Sequence, residues 1–402
     1  MALNHTTPDT PTILYVHLPF CERRCDFCYY LSYAGKSNEQ IDRYLHALQT
    51  ELNLLARSPT FQNAELSAIY IGGGTPTLLS PPQLERLMRL LKNGIPWSAD
   101  PEVTCECAPK STTSEKLNIL KDNGVTRCSM GVQSMSKHVL TTNGRIHTPE
   151  HVLTTYPEIR AAGFDCINLD LISGLPEQTD ETFFISLELL LALSPDSITI
   201  YPLEIPEYTP LFQKLIRNKQ PSLHPSSWTT RRQRLDMGFR RLEDKGYSRI
   251  SAYTAVRDTH RHQFRYQKLQ YHGCNMIGIG ASSFSYVNGV HQQNNASLAD
   301  YLTAVEDGRL PLDRSYELTP LEQATREFLL KLKLGHSDLT PMLTRMTPEE
   351  HAQFSKQLQP HINSGSLTRQ GSILTVSPIG LTQVDSILPQ LYPASLKNTR
   401  YN

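Results

Sequence analysis

Six β-branched, apolar stretches recur through the first 250 residues, each followed by a segment of helical period, and this alternation limits the fold more than any other feature. TILYVHLP (12–19) is followed from Asn38 by Ile41, Tyr44, Leu45, Leu48, Leu52 and Leu55, which share one helical face. The next units are LSAIYIGGG with SPPQLERLMRLLKN, PEVTCECAP with SEKLNILKDNG, and TRCSMGVQS with PEHVLTTYPEIRAAG. CINLDLISGLP with ETFFISLELLLAL and SITIYPLEI with WTTRRQRLDMGFRRLEDKGY complete the series. Ser80 and Pro81 form a helix start, and Gly124 and Gly163 sit where helix C-caps belong. Strands alternating with helices at this spacing predict a parallel sheet covered by helices, either an open doubly wound sheet or a barrel.

Past residue 300 the alternation stops. LTPLEQATREFLLKLKL followed by SGSLTRQGSILTVSPIG predicts a small helical domain with a β-wing. The expected division is a polar tail at 1–11, a main domain at 12–300 and a small α+β, winged-helix-like domain at 301–402.

Lys+Arg and Asp+Glu both number 39, so the net charge is zero, which argues against a nucleic-acid partner. The start, MALNHTTPDTPT, has neither a basic segment nor an apolar one, and no apolar run reaches membrane-spanning length. A cytoplasmic chain without a membrane span is expected.

Three of the eight cysteines crowd into CERRCDFCYY, directly after the first strand. Cys21, Cys25 and Cys28 have the spacing C-x3-C-x2-C, which lets one loop present three thiolates to an iron–sulfur cube and leaves one iron open for another ligand. Structural zinc with His17 as fourth ligand, or simple packing of the thiols, are the alternatives. Cys105, Cys107, Cys128, Cys166 and Cys274 recreate no ligand spacing and read as buried packing residues.

This motif resembles the signature of the radical S-adenosylmethionine (SAM) superfamily, in which the open iron binds SAM and its reductive cleavage yields a 5′-deoxyadenosyl radical. The resemblance narrows to the oxygen-independent coproporphyrinogen III oxidase-like branch through YVHLPFC (15–21), IGGGTPT (71–77), ECAP (106–109), GVQS (131–134), GRIH (144–147) and INLDLISGLP (167–176). It implies a partial parallel (β/α)6 TIM-like barrel, a 4Fe–4S cluster on Cys21, Cys25 and Cys28, and SAM as cofactor. The SAM-binding set implied is Tyr15, Gly72, Gly73, Gly74, Thr75, Glu106, Gln133, Arg145 and Asp170. On residue type alone the glycines serve equally as a tight turn, and Glu106 as an ordinary exposed carboxylate.

Within the branch, the oxidases carry a further cysteine where this chain has Tyr30. The haem-chaperone relatives read C-x-Y-C-D-F and His-Asn-x-x-Tyr-Trp; here the second stretch is HQFRYQ (262–267). CYYLSY, YQ at 266–267 and GIGASSFSYVNGVHQQN (278–294) are similar to the class C methylases and cyclopropanases. That likeness implies two SAM molecules, one-carbon transfer to an sp2 carbon of a planar aromatic substrate such as a quinone or azole, and an electron donor such as flavodoxin or ferredoxin. Candidates for its proton-accepting base are Tyr29, Tyr30, His262 and His291. Haem binding and oxidative decarboxylation are the competing expectations.

Overall fold

The computed structural model describes residues 10–58, 61, 64–217 and 224–393. The expected polar tail lies almost wholly outside the described residues. The six expected strands are β1 (Thr12–Leu18), β2 (Leu66–Gly73), β3 (Trp97–Cys107), β4 (Arg127–Gln133), β5 (Cys166–Ser173) and β6 (Ser197–Pro202). Between them run α1 (Asn38–Ala56), α2 (Pro81–Gly94), α3 (Ser114–Asp122), α4 (Pro149–Ala161) and α5 (Asp180–Ala192), with α6 (Trp228–Asp244) after β6. Ser37 and Ser80 close reciprocal capping boxes with Gln40 and Gln83, so α1 and α2 start where side-chain oxygens satisfy free backbone N–H groups.

Neighbouring strands from β1 to β6 pair in parallel, as the alternation requires. The chain then adds β7 (Ser248–Arg249), β8 (Thr254–Val256), α7 (Arg265–Tyr271), β9 (Asn275–Ile279), β10 (Phe284–Val287), β11 (Val290–Asn294), α8 (Leu298–Glu306), β12 (Leu312–Glu317) and α9 (Pro320–Leu332). The full sheet has the order β12–β11–β10–β9–β1–β2–β3–β4–β5–β6–β8–β7. A seventh parallel strand, β9, thus lies beside β1. Periodicity hides it because Gly278 sits inside it, where a Cβ would strike the Phe284 carbonyl.

Residues of β1 to β6 divide by the strand period of two. Leu14, Val16, Ile69, Ile71, Val103, Cys105, Cys128, Met130, Leu169 and Ile200 face the helices within one apolar core. Their alternates, including Tyr15, Tyr70, Glu106, Ser129, Asp170 and Tyr201, share the other face. Part of that second face is filled by Phe264 and Tyr266, which pack on Ile13 and Ala68. Glu102 in β3 accepts from the backbone N–H groups of Arg265 and Tyr266 at 2.8 and 2.9 Å, pinning the start of α7 there.

Position 300/301 falls inside α8, whose Tyr301 and Val305 are buried in the main core, and β12 extends the main sheet. A second core gathers Phe328, Leu332, Phe354, Leu358, Leu374 and Leu391 with Ala252. It joins α9, α10 (Pro348–Asn363) and an antiparallel sheet in the order β13 (His336–Asp338), β15 (Ile373–Val376), β14 (Leu367–Gln370). Among the described residues no helix is long and apolar enough to cross a membrane.

Tyr44 of α1 fastens this frame: its hydroxyl donates to the His17 carbonyl at 2.8 Å and accepts from Ala281 N–H at 3.0 Å. Tyr44→Phe leaves both buried backbone groups without that partner. It is expected to lower the unfolding free energy by about 1–3 kcal/mol with an unchanged denaturant slope, read from chemical denaturation by circular dichroism.

Candidate active site

Parallel strands carry their working residues on the loops at their carboxyl ends. The loop after β1 holds Cys21, Cys25 and Cys28, all unpaired and partly buried. Thr75 Oγ1 donates to Cys21 Sγ at 3.6 Å, Arg145 donates to Cys25 Sγ at 3.4 Å, and the Cys28 thiol points at the Tyr30 carbonyl at 3.9 Å. Burial and the neighbouring Cys25 push the Cys28 thiol up to about 11, and burial also raises Cys21. A cationic donor beside Cys25 suits a thiolate ligand.

Among the described residues, no three His, Cys, Asp or Glu side chains converge to hold a single metal ion. In a four-iron cluster each thiolate takes a different iron, so its ligands surround a cube rather than a point. Zinc is also disfavoured by His17: its Nδ1 bonds the Tyr15 hydroxyl at 3.0 Å and its Nε2 the Leu31 carbonyl at 2.9 Å. Both nitrogens are used, and burial holds this ring neutral, with its pKa down at about 4.

The glycine turn ending β2 locks onto the cysteine loop. Gly74 N–H donates to Leu18 O at 2.8 Å and Thr75 N–H to Phe20 O at 2.7 Å. Gly73 adopts φ +104°, and a Cβ there would run into the His17 ring; a Cβ on Gly72 would lie 2.7 Å from Glu106 and Tyr70. These glycines are therefore demanded by close protein contacts, whatever else binds near them.

Glu106 closes the turn. It accepts from the Tyr70 hydroxyl at 2.7 Å and from Gly73 N–H at 3.2 Å. Burial, opposed by these bonds and aided by the charge of Asp170, pushes its carboxyl up to about 7. It is not the exposed carboxylate that composition alone favours. Asp170 of β5 accepts from Asn168 at 2.7 Å and Ser129 at 3.2 Å, and burial lifts it to about 6.

Gln133, at the end of β4, has φ +68° and lies at a register shift, and its Oε1 is buried without a hydrogen-bond partner. Arg145 donates to the Gly131 carbonyl as well as to Cys25, while its Nε is buried without a partner. A strained backbone and two unsatisfied polar atoms beside three thiols fit a site shaped for a polar ligand. Cys25, Thr75, Ala108 and Arg145 also line a small pocket there.

Tyr29 and Tyr30 pack in a tilted pair with ring centroids 4.7 Å apart and keep 43 % exposure each. Tyr30 lies within electrostatic range of Tyr15, Glu106 and Tyr201, and Tyr29 of Glu204, Cys28 and Glu106. The pair therefore stands between the cysteine loop and the polar face of the sheet.

The two expected histidine bases are elsewhere. His262 lies 3.8 Å from Asp196, the residue before β6, and thus at the amino end of the sheet, opposite the cysteines. His291 sits in β11, three strands from β1, packed on Tyr286 at 4.9 Å and beside Arg326, and burial lowers its pKa to about 4. HQFRYQ leads into the plug formed by α7, and the β9–β11 meander carries His291 away from the loop. Residues that the sequence reading passed over are Tyr70, Ser129, Asn168 and Tyr201. Their signal was the period of two, which places them on the face of Glu106 and Asp170.

Residues 15–190 match the Radical SAM superfamily. Heme chaperone HemW of Bacillus subtilis is 31 % identical over 321 residues, covering 79 % of this chain and 82 % of the relative. The chain belongs to the radical SAM superfamily, in its coproporphyrinogen oxidase and haem chaperone branch. Oxygen-independent coproporphyrinogen III oxidase of Escherichia coli is 30 % identical over 339 residues, covering 81 % of this chain and 72 % of that one. The solved structure of the Escherichia coli enzyme superimposes with a TM-score of 0.83 at 26 % identity, over 97 % of this chain and 91 % of that chain. As a radical SAM enzyme it uses a 4Fe–4S cluster and SAM, and Cys21, Cys25 and Cys28 are the residues here that fit such a cluster.

Replacing Cys21, Cys25 or Cys28 by Ala should each strip the cluster's iron and its visible absorption after anaerobic reconstitution. Cys105→Ala, in the helix-side core, should keep both. Iron and sulfide analysis of the four variants checks this.

Proposed function

We propose that this radical SAM protein takes a planar tetrapyrrole as its substrate or cargo. The observation that carries the reading is the wall of tyrosines next to the cysteine loop. Tyr15 and Tyr70 stack with centroids 6.2 Å apart, and Tyr201 and Tyr253 lie 5.7 Å apart. Tyr29 and Tyr30 lie near them, both within electrostatic range of Glu106. Such a surface offers broad ring faces to a large flat molecule and hydroxyls to its polar edge. The names of the relatives that share most of the chain, for porphyrinogen oxidation and haem delivery, support the same class.

When bound, the cluster supplies one electron that cleaves SAM to a 5′-deoxyadenosyl radical. The electron comes from outside the chain, from a low-potential donor such as flavodoxin or ferredoxin. Arg145 would pair with the SAM carboxylate, Gln133 Oε1 would accept from its amino group, and Asp170 and Glu106 would accept from ribose hydroxyls or the amino group. Tyr15 and the Gly72–Thr75 turn border the same space.

Tyr30 stands where the oxidases carry a further cysteine, and HQFRYQ lacks the Asn and Trp of the carrier's motif. Each departure removes a residue tied to one activity and leaves the tyrosine surface beside the cysteine loop in place. One-carbon transfer to a smaller aromatic substrate finds less support, because its motif carries His291 into the meander and the broad-coverage relatives bear no such name.

Glu106 and Asp170 are neutral below their raised values and ionised above them. SAM binding should therefore strengthen as pH rises through about 6 to 7. Glu106→Gln should weaken SAM by about tenfold at pH 8 and flatten the profile, as equilibrium dialysis across pH 5.5–8.5 would show.

The reduced, reconstituted protein is expected to release 5′-deoxyadenosine from SAM, with the yield rising when a porphyrinogen or haem is added. Mass spectrometry of 5′-deoxyadenosine and S-adenosylhomocysteine decides among the readings. Release that ignores tetrapyrroles, or stoichiometric S-adenosylhomocysteine with an azole or quinone, would replace this reading with one-carbon transfer.

A further inference from the structure

The second core contributes one cation to the tyrosine-walled space. Lys333 is the C-cap of α9, and its carbonyl accepts from Ala252 N–H at 2.7 Å. Tyr253, the next residue, accepts from Ile200 N–H of β6 at 2.8 Å and sets its ring against Tyr201. This ladder brings the end of α9 to the carboxyl end of the main sheet, on the face that carries Glu106 and Asp170.

Lys333 Nζ lies 5.3 Å from the centroid of the Tyr271 ring. Tyr271 and Tyr253 both lie within electrostatic range of Tyr29, the neighbour of Cys28. Glu204 acts on Lys333 only from a distance, and among the described residues Lys333 forms no ion pair. The surrounding protein removes enough water to lower its pKa. A half-dehydrated ammonium held over a ring and left without an anion costs free energy that a bound carboxylate would recover. The terminal nitrogens of two arginines already have partners: Arg231 donates to the Leu203 carbonyl and Arg232 pairs with Asp385 at 2.8 Å.

We propose that Lys333 is a specificity-determining residue that pairs with a carboxylate on the rim of the flat ring lying among Tyr29, Tyr253 and Tyr271. This rests on the tetrapyrrole reading and adds that the ligand must carry an acidic side chain on the edge facing the second core. A ring without carboxylates would fill the same space and leave the ammonium unpaired.

The test measures binding of coproporphyrin III and of its methyl ester, which keeps the ring and removes every carboxylate charge, by fluorescence titration of the reconstituted protein in one detergent-containing buffer. The wild type should favour the acid by about tenfold, a preference that shrinks with added salt. Lys333→Met and Lys333→Gln should lose it while keeping affinity for the ester, and Lys333→Arg should retain part of it. Cluster content and melting temperature confirm folding of each variant. Binding of both rings with no preference in the wild type, or a preference that survives in Lys333→Met, overturns the anchor and leaves the tetrapyrrole reading standing. Binding of neither ring overturns the tetrapyrrole reading and the anchor with it.

Discussion

The bonds that Glu106 accepts from the Tyr70 hydroxyl and Gly73 N–H hold the site together. They join the ends of β2 and β3 and fix the glycine turn. That turn clasps the chain on either side of Pro19 through Gly74 and Thr75, and so positions the cysteine loop. A buried carboxylate is tolerable only with such donors, and the same burial that raises its pKa makes each bond worth more than it would be in water.

The parallel sheet divides the labour between its faces. Helices cover one face, and the residues there are aliphatic or thiol-bearing because nothing polar could be satisfied between sheet and helix. The other face keeps Tyr, Glu, Asp, Asn and Ser in mutual hydrogen bonds, with Asn168, Ser129 and Asp170 as the densest group. Phe264 and Tyr266 fill part of that face as an apolar plug, and the carboxyl end remains for chemistry. The eight cysteines follow this division: three on the loop, and five buried, of which Cys105, Cys107 and Cys128 belong to the helix-side core.

Much of this was legible in the chain. The six strands, their helices and the parallel pairing follow from periodicity, and the C-x3-C-x2-C spacing pointed to the cysteine loop. Glu106, Gln133, Arg145 and Asp170 were legible through motifs, and the structure gathers them at one end of the sheet. His262 and His291 were not, because a histidine carries no periodic signal and its surroundings come from distant segments. His262 meets Asp196 across 66 positions of chain, and His291 meets Tyr286 through a hairpin register. The strand β9 escaped for a related reason: a glycine inside a five-residue strand erases the alternation that would mark it.

By itself the sequence determined the fold class, the parallel pairing expected of its strands and the loop that carries three thiols. Each of these depends on contacts or side-chain faces that repeat at short, regular spacing. Only the tertiary structure decided the strand order of the parallel block, which carboxylates carry a raised pKa, and how the end of α9 reaches the tyrosine wall. Those features depend on desolvation and on hydrogen bonds between residues far apart in the chain. Their strength is set by how completely folding removes water around them.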